Sequence, residues 1–382
     1  MKGFKNTRIY VEGKGIIKCD LAIKGDKIAK IGEGLDIDEV FDLPEDAVVF
    51  PGFIDEHIHG ALGSDGMDGT QKDIENIACA IASEGTTAFL VTTMTQSVEN
   101  ITKALSAVKD YMKAEKATGA KVLGVHLEGP FISKKHVGAQ PIEYVQEPSK
   151  AAFDLYERAS GGNIKIVSLA PEVEGAEELI KYLSSKKIVA SIGHTDAKYA
   201  DIMRAKACGA TNVTHTYNAQ TPLHHREIGV VGTALLDDDL YTELICDTIH
   251  VSVPAVRLLL KNKPHDKLVL ITDSMRAKHL ADGISELGGQ KVIVKNGEAR
   301  LENGALAGSV LKMNDAVKNM VEVIGTDITT AVDLASANPA KSLGIYDERG
   351  SIKEGKKADF TVLDKDYSVL LTIRDGAVIY SK

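Results

Sequence analysis

Between Gly52 and Asp273 the chain alternates short, nearly continuous apolar runs with longer segments whose apolar residues recur every three or four positions. Runs of the first kind suit strands buried on both faces, and segments of the second kind suit amphipathic helices. Eight runs stand out: GFIDEHIH (52–59), TTAFLVTT (86–93), KVLGVHLE (121–128), IKIVSLA (164–170), KIVASIGH (187–194), TNVTH (211–215), TELICD (242–247) and KLVLITD (267–273). The spacing predicts helices near 70–84, 97–117, 174–185, 196–208, 252–262 and 309–323, and leaves the stretch after His215 undecided. Strand-then-helix units repeated eight times predict a parallel (β/α)8 barrel of the TIM type. After the eighth run, residues 288–309 (GGQKVIVKNGEARLENGALAGS) read as a hairpin turning at Asn296-Gly297.

The pattern changes at both ends. Thr7 to Val49 shows short β-type runs between Gly-containing turns, and strand-like runs return at Asp359–Leu363, Ser368–Ile373 and Ala377–Tyr380. Neither end has enough strands for a sheet of its own, so residues 1–50 and 346–382 are expected to form one discontinuous small β-sandwich domain beside a barrel at 51–345.

Composition narrows the partners. With 382 residues, 44% hydrophobic, the chain can bury a large core, and a net charge of -9 without any Lys/Arg-rich run argues against nucleic acid. Cys19, Cys79, Cys208 and Cys246 lie far apart with no C-x-x-C spacing, so reduced, mostly buried thiols are expected. The N-terminus lacks the apolar core of a signal peptide, and no run is long enough to span a membrane. These features predict a cytoplasmic protein.

The chemistry lies in where the runs end. His57 and His59 close the first run, Glu128 the third, His194 the fifth, His215 the sixth and Asp273 the eighth. In a (β/α)8 barrel those strand ends meet on one face, where active sites sit. A lone strand-end histidine is most often a hydrogen-bonded core residue; six metal-competent groups at five strand ends are not explained that way. Four imidazoles and two carboxylates exceed the needs of one tetrahedral zinc and suit two divalent ions bridged by Glu128. Asp55 and His126 precede these residues by two, so they should face inward one layer deeper, as core residues or as groups that orient ligands. His136, His224, His225 and His279 fall in loops and receive no metal role. Such ions lower the pKa of bound water from about 15.7 to about 7, and Asp273 could then act as general base and acid in hydrolysis. A linear amide, a cyclic amide or an aminopurine would suit this chemistry equally. A non-catalytic scaffold usually loses such ligands, whereas here all six are present.

PGFIDEHIHG (51–60), HLEGPF (126–131), APE (170–172), GHTDA (193–197), THTYNA (214–219), LITDS (270–274) and EGKKADF (354–360) together resemble the N-acetylglucosamine-6-phosphate deacetylases of the amidohydrolase superfamily. The resemblance implies hydrolysis of N-acetyl-D-glucosamine 6-phosphate to D-glucosamine 6-phosphate and acetate, in amino-sugar catabolism and cell-wall recycling. It implies that Glu128, His194 and His215 are the family's common metal ligands, and that Asp273 is both a ligand and the catalytic acid/base. His57 and His59 match a pair that completes a second site in one branch of the family, giving two ions, zinc, iron or similar. For the sugar phosphate it implies contacts from Ala139, Gln140, Asn218, Ala219, Arg226, His250, Leu306, Ala307 and Gly308. Gln140 replaces a histidine found in some members, which makes a second metal the substitute for polarising the acetyl carbonyl. In some members the counterpart of Arg226 crosses a dimer interface, which implies a homodimer.

Overall fold

The computed structural model describes residues 1–114 and 118–382, so the helix predicted for 97–117 ends outside the described residues. All eight apolar runs are strands. Phe53–Ile58, Thr86–Thr92, Lys121–Glu128, Ile164–Leu169, Val189–Ile192, Asn212–Val213, Tyr241–Ile245 and Leu268–Ile271 follow one another in a single parallel sheet. Side chains such as Phe89, Val125, Val167 and Leu270 are fully buried, as expected of strands covered on both faces. The ring closes between the first and last strands through backbone bonds beyond the regular ladder. Asp273 donates to the His57 carbonyl at 2.8 Å, and His59 donates to that of Ser274 at 2.9 Å. Asp55 seals the same seam from below, accepting from the Thr272 hydroxyl at 2.6 Å. Its carboxylate therefore serves the closure of the barrel.

The predicted helices appear as Gln71–Ala82, Val98–Ala114, Ala176–Ser185, Tyr199–Cys208, Val253–Asn262 and Met313–Asn319, the last continued by one π-helical turn, Met320–Ile324. Four more were not predicted: Lys150–Ser160, Gly229–Leu236, Ile328–Ala335 and Ala337–Ser342. Lys150–Ser160 did carry a start and stop signal, since the Ser149 side chain caps Ala152 and Gly161 ends the helix in the left-handed region at φ 68°. Gly229–Leu236 (GVVGTALL) is buried along most of its length, so its sequence has no apolar and polar faces to reveal a period.

The predicted hairpin is real but is part of a larger unit. Gln290–Lys295 and Glu298–Leu301 pair antiparallel around Asn296 (φ 53°) and Gly297 (φ 81°), the left-handed pair that a tight two-residue turn requires. A third strand, Gly283–Leu287, adds to them. That strand was missed because Gly283, Ile284 and Glu286 are exposed and its sequence has little apolar content.

The chain ends meet in a separate eight-stranded, largely antiparallel sandwich. Val48–Pro51 is the junction: it pairs parallel with Lys2–Val11 and antiparallel with Phe360–Leu363. Phe4, Leu21, Val49, Phe360 and Ile373 fill its core. Polar contacts fasten it to the barrel, with the Thr372 hydroxyl on Ala82 O at 2.7 Å and Arg374 Nη1 on Gly119 O at 2.9 Å.

Candidate metal centre and active-site pocket

The six strand-end residues come together at the C-terminal face of the barrel. Glu128 stands in the middle. Its Oε1 lies 3.2 Å from His194 Nε2, 3.0 Å from His215 Nε2 and 3.4 Å from His57 Nε2, while Oε2 lies 3.3 Å from His59 Nε2. Asp273 Oδ1 closes the other side, 3.6 Å from His57 Nε2 and 3.2 Å from His59 Nε2. Three of the residues, His194, His215 and Asp273, have positive φ (47°, 29° and 46°). The backbone leaves the strand there in a conformation that side chains other than glycine rarely adopt, a form of strain concentrated at functional sites.

The donor set fits divalent cations. His57, His59, Glu128, His194 and His215 are all at least 94% buried, since the most exposed of them, His194, retains 6% accessibility. His57 Nε2, His59 Nδ1 and His215 Nδ1 have no hydrogen-bond partner among the described residues. The Nε2 atoms of His194 and His215 are 3.0 Å apart. Protons alone cannot satisfy this many nitrogens crowded on one carboxylate, whereas imidazole and carboxylate donors suit zinc or iron. Two overlapping groups share Glu128: His57, His59 and Glu128 on one side, and Glu128, His194 and His215 on the other.

Electrostatics point the same way. Burial opposes charge on His57 and His59, yet Asp273 and Glu128 outweigh it, holding His57 well above the usual imidazole range and His59 at about 10. Burial likewise opposes charge on the carboxylates, yet His57 with its neighbours brings Asp273 down to about 2 and Glu128 well below the carboxylate range. Imidazolium and carboxylate charges are thus packed together, and a divalent ion can take the place of the imidazole protons. His126, by contrast, is pushed down to about 4 by burial and by the charge of His57, so it is neutral. Its ring bonds the Ser168 hydroxyl at 2.7 Å and the Glu56 carbonyl at 3.1 Å, which makes it part of the barrel core.

Residues 48–379 match the sequence profile of the amidohydrolase family. A relative from Bacillus subtilis (strain 168), an N-acetylglucosamine-6-phosphate deacetylase, is 46% identical over 88% of this chain and 86% of its own length. This chain belongs to the amidohydrolase family. The solved structure of an N-acetylglucosamine-6-phosphate deacetylase from Thermotoga maritima is similar to this amidohydrolase over 100% of both chains, with a TM-score of 0.91 at 37% identity. A Mycobacterium smegmatis deacetylase solved in complex with N-acetyl-D-glucosamine-6-phosphate also gives 0.91, at 28% identity, over 100% of this chain and 99% of that one.

Above the centre of this amidohydrolase lies a cavity of about 220 Å³. Ala139, Gln140, Asn218, Ala219, His250, Leu306 and Gly308 line it together with His59, Glu128, His194, His215 and Asp273. Gly308 has φ 61°, and a Cβ there would come 3.1 Å from the Asp273 carbonyl, so only glycine lets this turn approach the site so closely. Gln140 lines the cavity but its amide already donates to Glu128 Oε2 at 2.8 Å. His250 is held by Asp247, Nδ1 to Oδ2 at 2.6 Å. Two expected contacts fall outside the lining. Ala307 is fully buried in the cluster beneath the three-stranded sheet, because its neighbours Leu306 and Gly308 take the cavity side of the turn. Arg226 is exposed, with Nη1 2.7 Å from His225 Nε2.

Sequence reasoning missed Glu243, whose carboxylate lies 2.9 Å from His57 Nδ1, and Glu84, which binds His279 at 2.7 Å and Lys278 at 3.0 Å. Each is a fully buried carboxylate. For Glu243 a signal was present, an acid inside a buried strand, two residues before the apolar Ile245 and Cys246 of the run TELICD.

Proposed function

We propose that this amidohydrolase removes the acetyl group of N-acetyl-D-glucosamine 6-phosphate, releasing D-glucosamine 6-phosphate and acetate as a step of amino-sugar catabolism and cell-wall recycling. The observation that carries the reading is the six-residue centre at the floor of a cavity, in a chain similar over its whole length to a deacetylase captured with that substrate.

His57, His59, Glu128, His194, His215 and Asp273 would hold two divalent ions, zinc, iron or similar, with Glu128 between them. Such ions polarise the amide carbonyl and acidify water. Asp273, at the rim of the eighth strand, takes the proton of the attacking water and returns it to the amine, which cannot depart as an anion. Gln140 holds Glu128 in place rather than reaching the acetyl carbonyl, consistent with a pair of ions taking over the polarising role. Ala139, Asn218, Ala219, His250, Leu306 and Gly308 shape the sugar site.

Among the described residues no lysine or arginine lines the cavity. A phosphate in it therefore needs a cation from elsewhere, and exposed Arg226 on the loop after the sixth strand can supply it to the cavity of a second copy, which supports a homodimer. Residues 51–345 would be the catalytic barrel, with 1–50 and 346–382 as its supporting domain. A cytoplasmic location is supported by the four cysteines, all free, although Cys79 is exposed and Cys208 half-buried rather than mostly buried as expected. Among the described residues no helix is long and apolar enough to cross a membrane.

The test is acetate release from N-acetyl-D-glucosamine 6-phosphate, with metal analysis of the same sample and with the galacto epimer, a cyclic amide and an aminopurine in parallel. Turnover of the glucosamine derivative well above the others, with about two ions per chain, is the expected result. Turnover of the cyclic amide or aminopurine instead would replace this reading.

A further inference from the structure

We infer that Glu243 is a positioning residue that fixes which nitrogen of His57 faces the metal centre and ties the two halves of that centre together. The inference rests on the reading of His57 and His59 as metal ligands.

Glu243 projects from the seventh barrel strand, Tyr241–Ile245, and is fully buried. One of its oxygens does two things: Oε2 accepts from His57 Nδ1 at 2.9 Å and from the backbone N–H of His215 at 3.0 Å. Oε1 has no hydrogen-bond partner among the described residues. A buried acid kept only for packing would be replaced without loss by an apolar side chain, because burying a charge with an unpartnered oxygen is costly. Its contacts instead reach both halves of the centre. His57 belongs to the group with His59, and His215 to the group with His194.

An ionised carboxylate can only accept, so the proton of a neutral His57 must sit on Nδ1. That leaves the lone pair on Nε2, the buried atom without a hydrogen-bond partner, 3.4 Å from Glu128 and 3.6 Å from Asp273. His126 does not compete for Glu243, although His57, His126 and Glu243 lie close enough to suggest a cation site of their own. Both of its nitrogens are engaged, with Ser168 and Glu56. The ring stacks edge-on against His57 with centroids 4.5 Å apart and so blocks the other side of the imidazole. Carboxylate and ring together leave His57 one orientation, the arrangement that raises the basicity of a metal-binding imidazole.

The test uses the full chain loaded with cobalt(II) and compares wild type, Glu243→Gln, Glu243→Asp and His57→Ala. A chelator titration followed by metal analysis measures how tightly each ion is held, and proton NMR of the paramagnetic protein follows the exchangeable ring N–H that His57→Ala removes. Glu243→Gln is expected to loosen one of two ions by about 10- to 100-fold, leave the other nearly unchanged, and shift or exchange-broaden that N–H signal. Glu243→Asp keeps the charge in the core but withdraws it from His57, so it should loosen the same ion, with a lower thermal midpoint than Glu243→Gln, which keeps the size of the side chain. Wild-type affinity for both ions in Glu243→Gln and Glu243→Asp, while His57→Ala loses one, would overturn the role of Glu243 and leave the ligand reading standing. Two tightly held ions in His57→Ala would overturn both.

Discussion

At the scale of single residues, the geometry around Glu128 and Asp273 makes two substitutions decisive. Asp273→Asn keeps the shape of a group that already contacts His59 and His57, but it cannot carry a proton. We expect kcat to fall by about 100-fold or more with little change in KM, measured as acetate release at saturating substrate. Near-wild-type kcat with metal content intact would assign the proton to another group. Replacing His57 and His59 together by Ala should lower bound metal from about two ions per chain toward one, because the other group, Glu128, His194 and His215, remains complete. Unchanged stoichiometry would remove the pair from the centre. These six residues were legible because each closes an apolar run, and a (β/α)8 barrel gathers the ends of its strands. Glu243 was not, since it lies within a run whose ends draw attention. Ala307 shows the opposite limit: a motif gives the position of a turn, while the parity of side chains along it appears only in three dimensions.

At the scale of elements, periodicity identified the barrel strands and most of the helices, and it failed where packing removes the amphipathic contrast, as in Gly229–Leu236. It also gave no hint of how the loop after the eighth strand is held. Lys278, fully buried, donates to Glu84 Oε2 at 3.0 Å, and the Met313 backbone N–H donates to the same oxygen at 3.0 Å. Burial works against the charge of Glu84, and Lys278 with His279 more than offsets it, holding its carboxyl below the usual range. Three segments distant in sequence thus meet on one carboxylate. Glu84→Gln leaves the Lys278 ammonium uncompensated and should cost about 3–5 kcal/mol of stability in chemical denaturation. Adding Lys278→Met should recover part of that loss, and a single mutant within about 0.5 kcal/mol of wild type, the usual range for a surface change, would show that water compensates Lys278. Lys263, which ends the helix Val253–Asn262 and donates to the Asp237 carbonyl, offers a check by pH. Burial brings its pKa from 10.5 to about 8, despite Asp237 nearby. Between those values the unfolded chain binds more protons than the folded one, so this residue makes stability rise with pH. Relative to Lys263→Met, wild type should gain stability from pH 8 to 10.5, the interval between the two pKa values. Parallel curves across that interval would contradict the shift.

At the scale of the whole molecule, the proposed homodimer turns on one loop residue, Arg226. The pairing of the two ends in a sandwich was legible, because neither end has enough strands to close a core alone and both carry strand-like runs. The position of Arg226 relative to the cavity was not, because no periodicity orients the side chain of an exposed loop. Among the described residues no lysine or arginine lines the cavity, and Arg226, exposed on the HHREIG loop, is not part of that lining. If Arg226 serves the cavity of a partner, each active site of a dimer is built from two chains. Arg226→Ala alone should lose about 2–5 kcal/mol of transition-state binding for the phosphorylated sugar, read as kcat/KM, with little effect on the unphosphorylated one. Arg226→Ala and Asp273→Asn are then complementary. In a mixed dimer, the site of the Arg226→Ala chain keeps its own Asp273 and receives Arg226 from its partner, whereas the other site lacks both. Unfolding and refolding equal amounts of the two variants together should therefore restore about one quarter of wild-type activity, since half of the randomly formed dimers are mixed and each has one complete site. An arginine acting within its own chain leaves every site of every dimer defective, so failure to recover activity after exchange, with mixed dimers verified by differently tagged chains, would place Arg226 in the cavity of its own subunit or outside the reaction altogether.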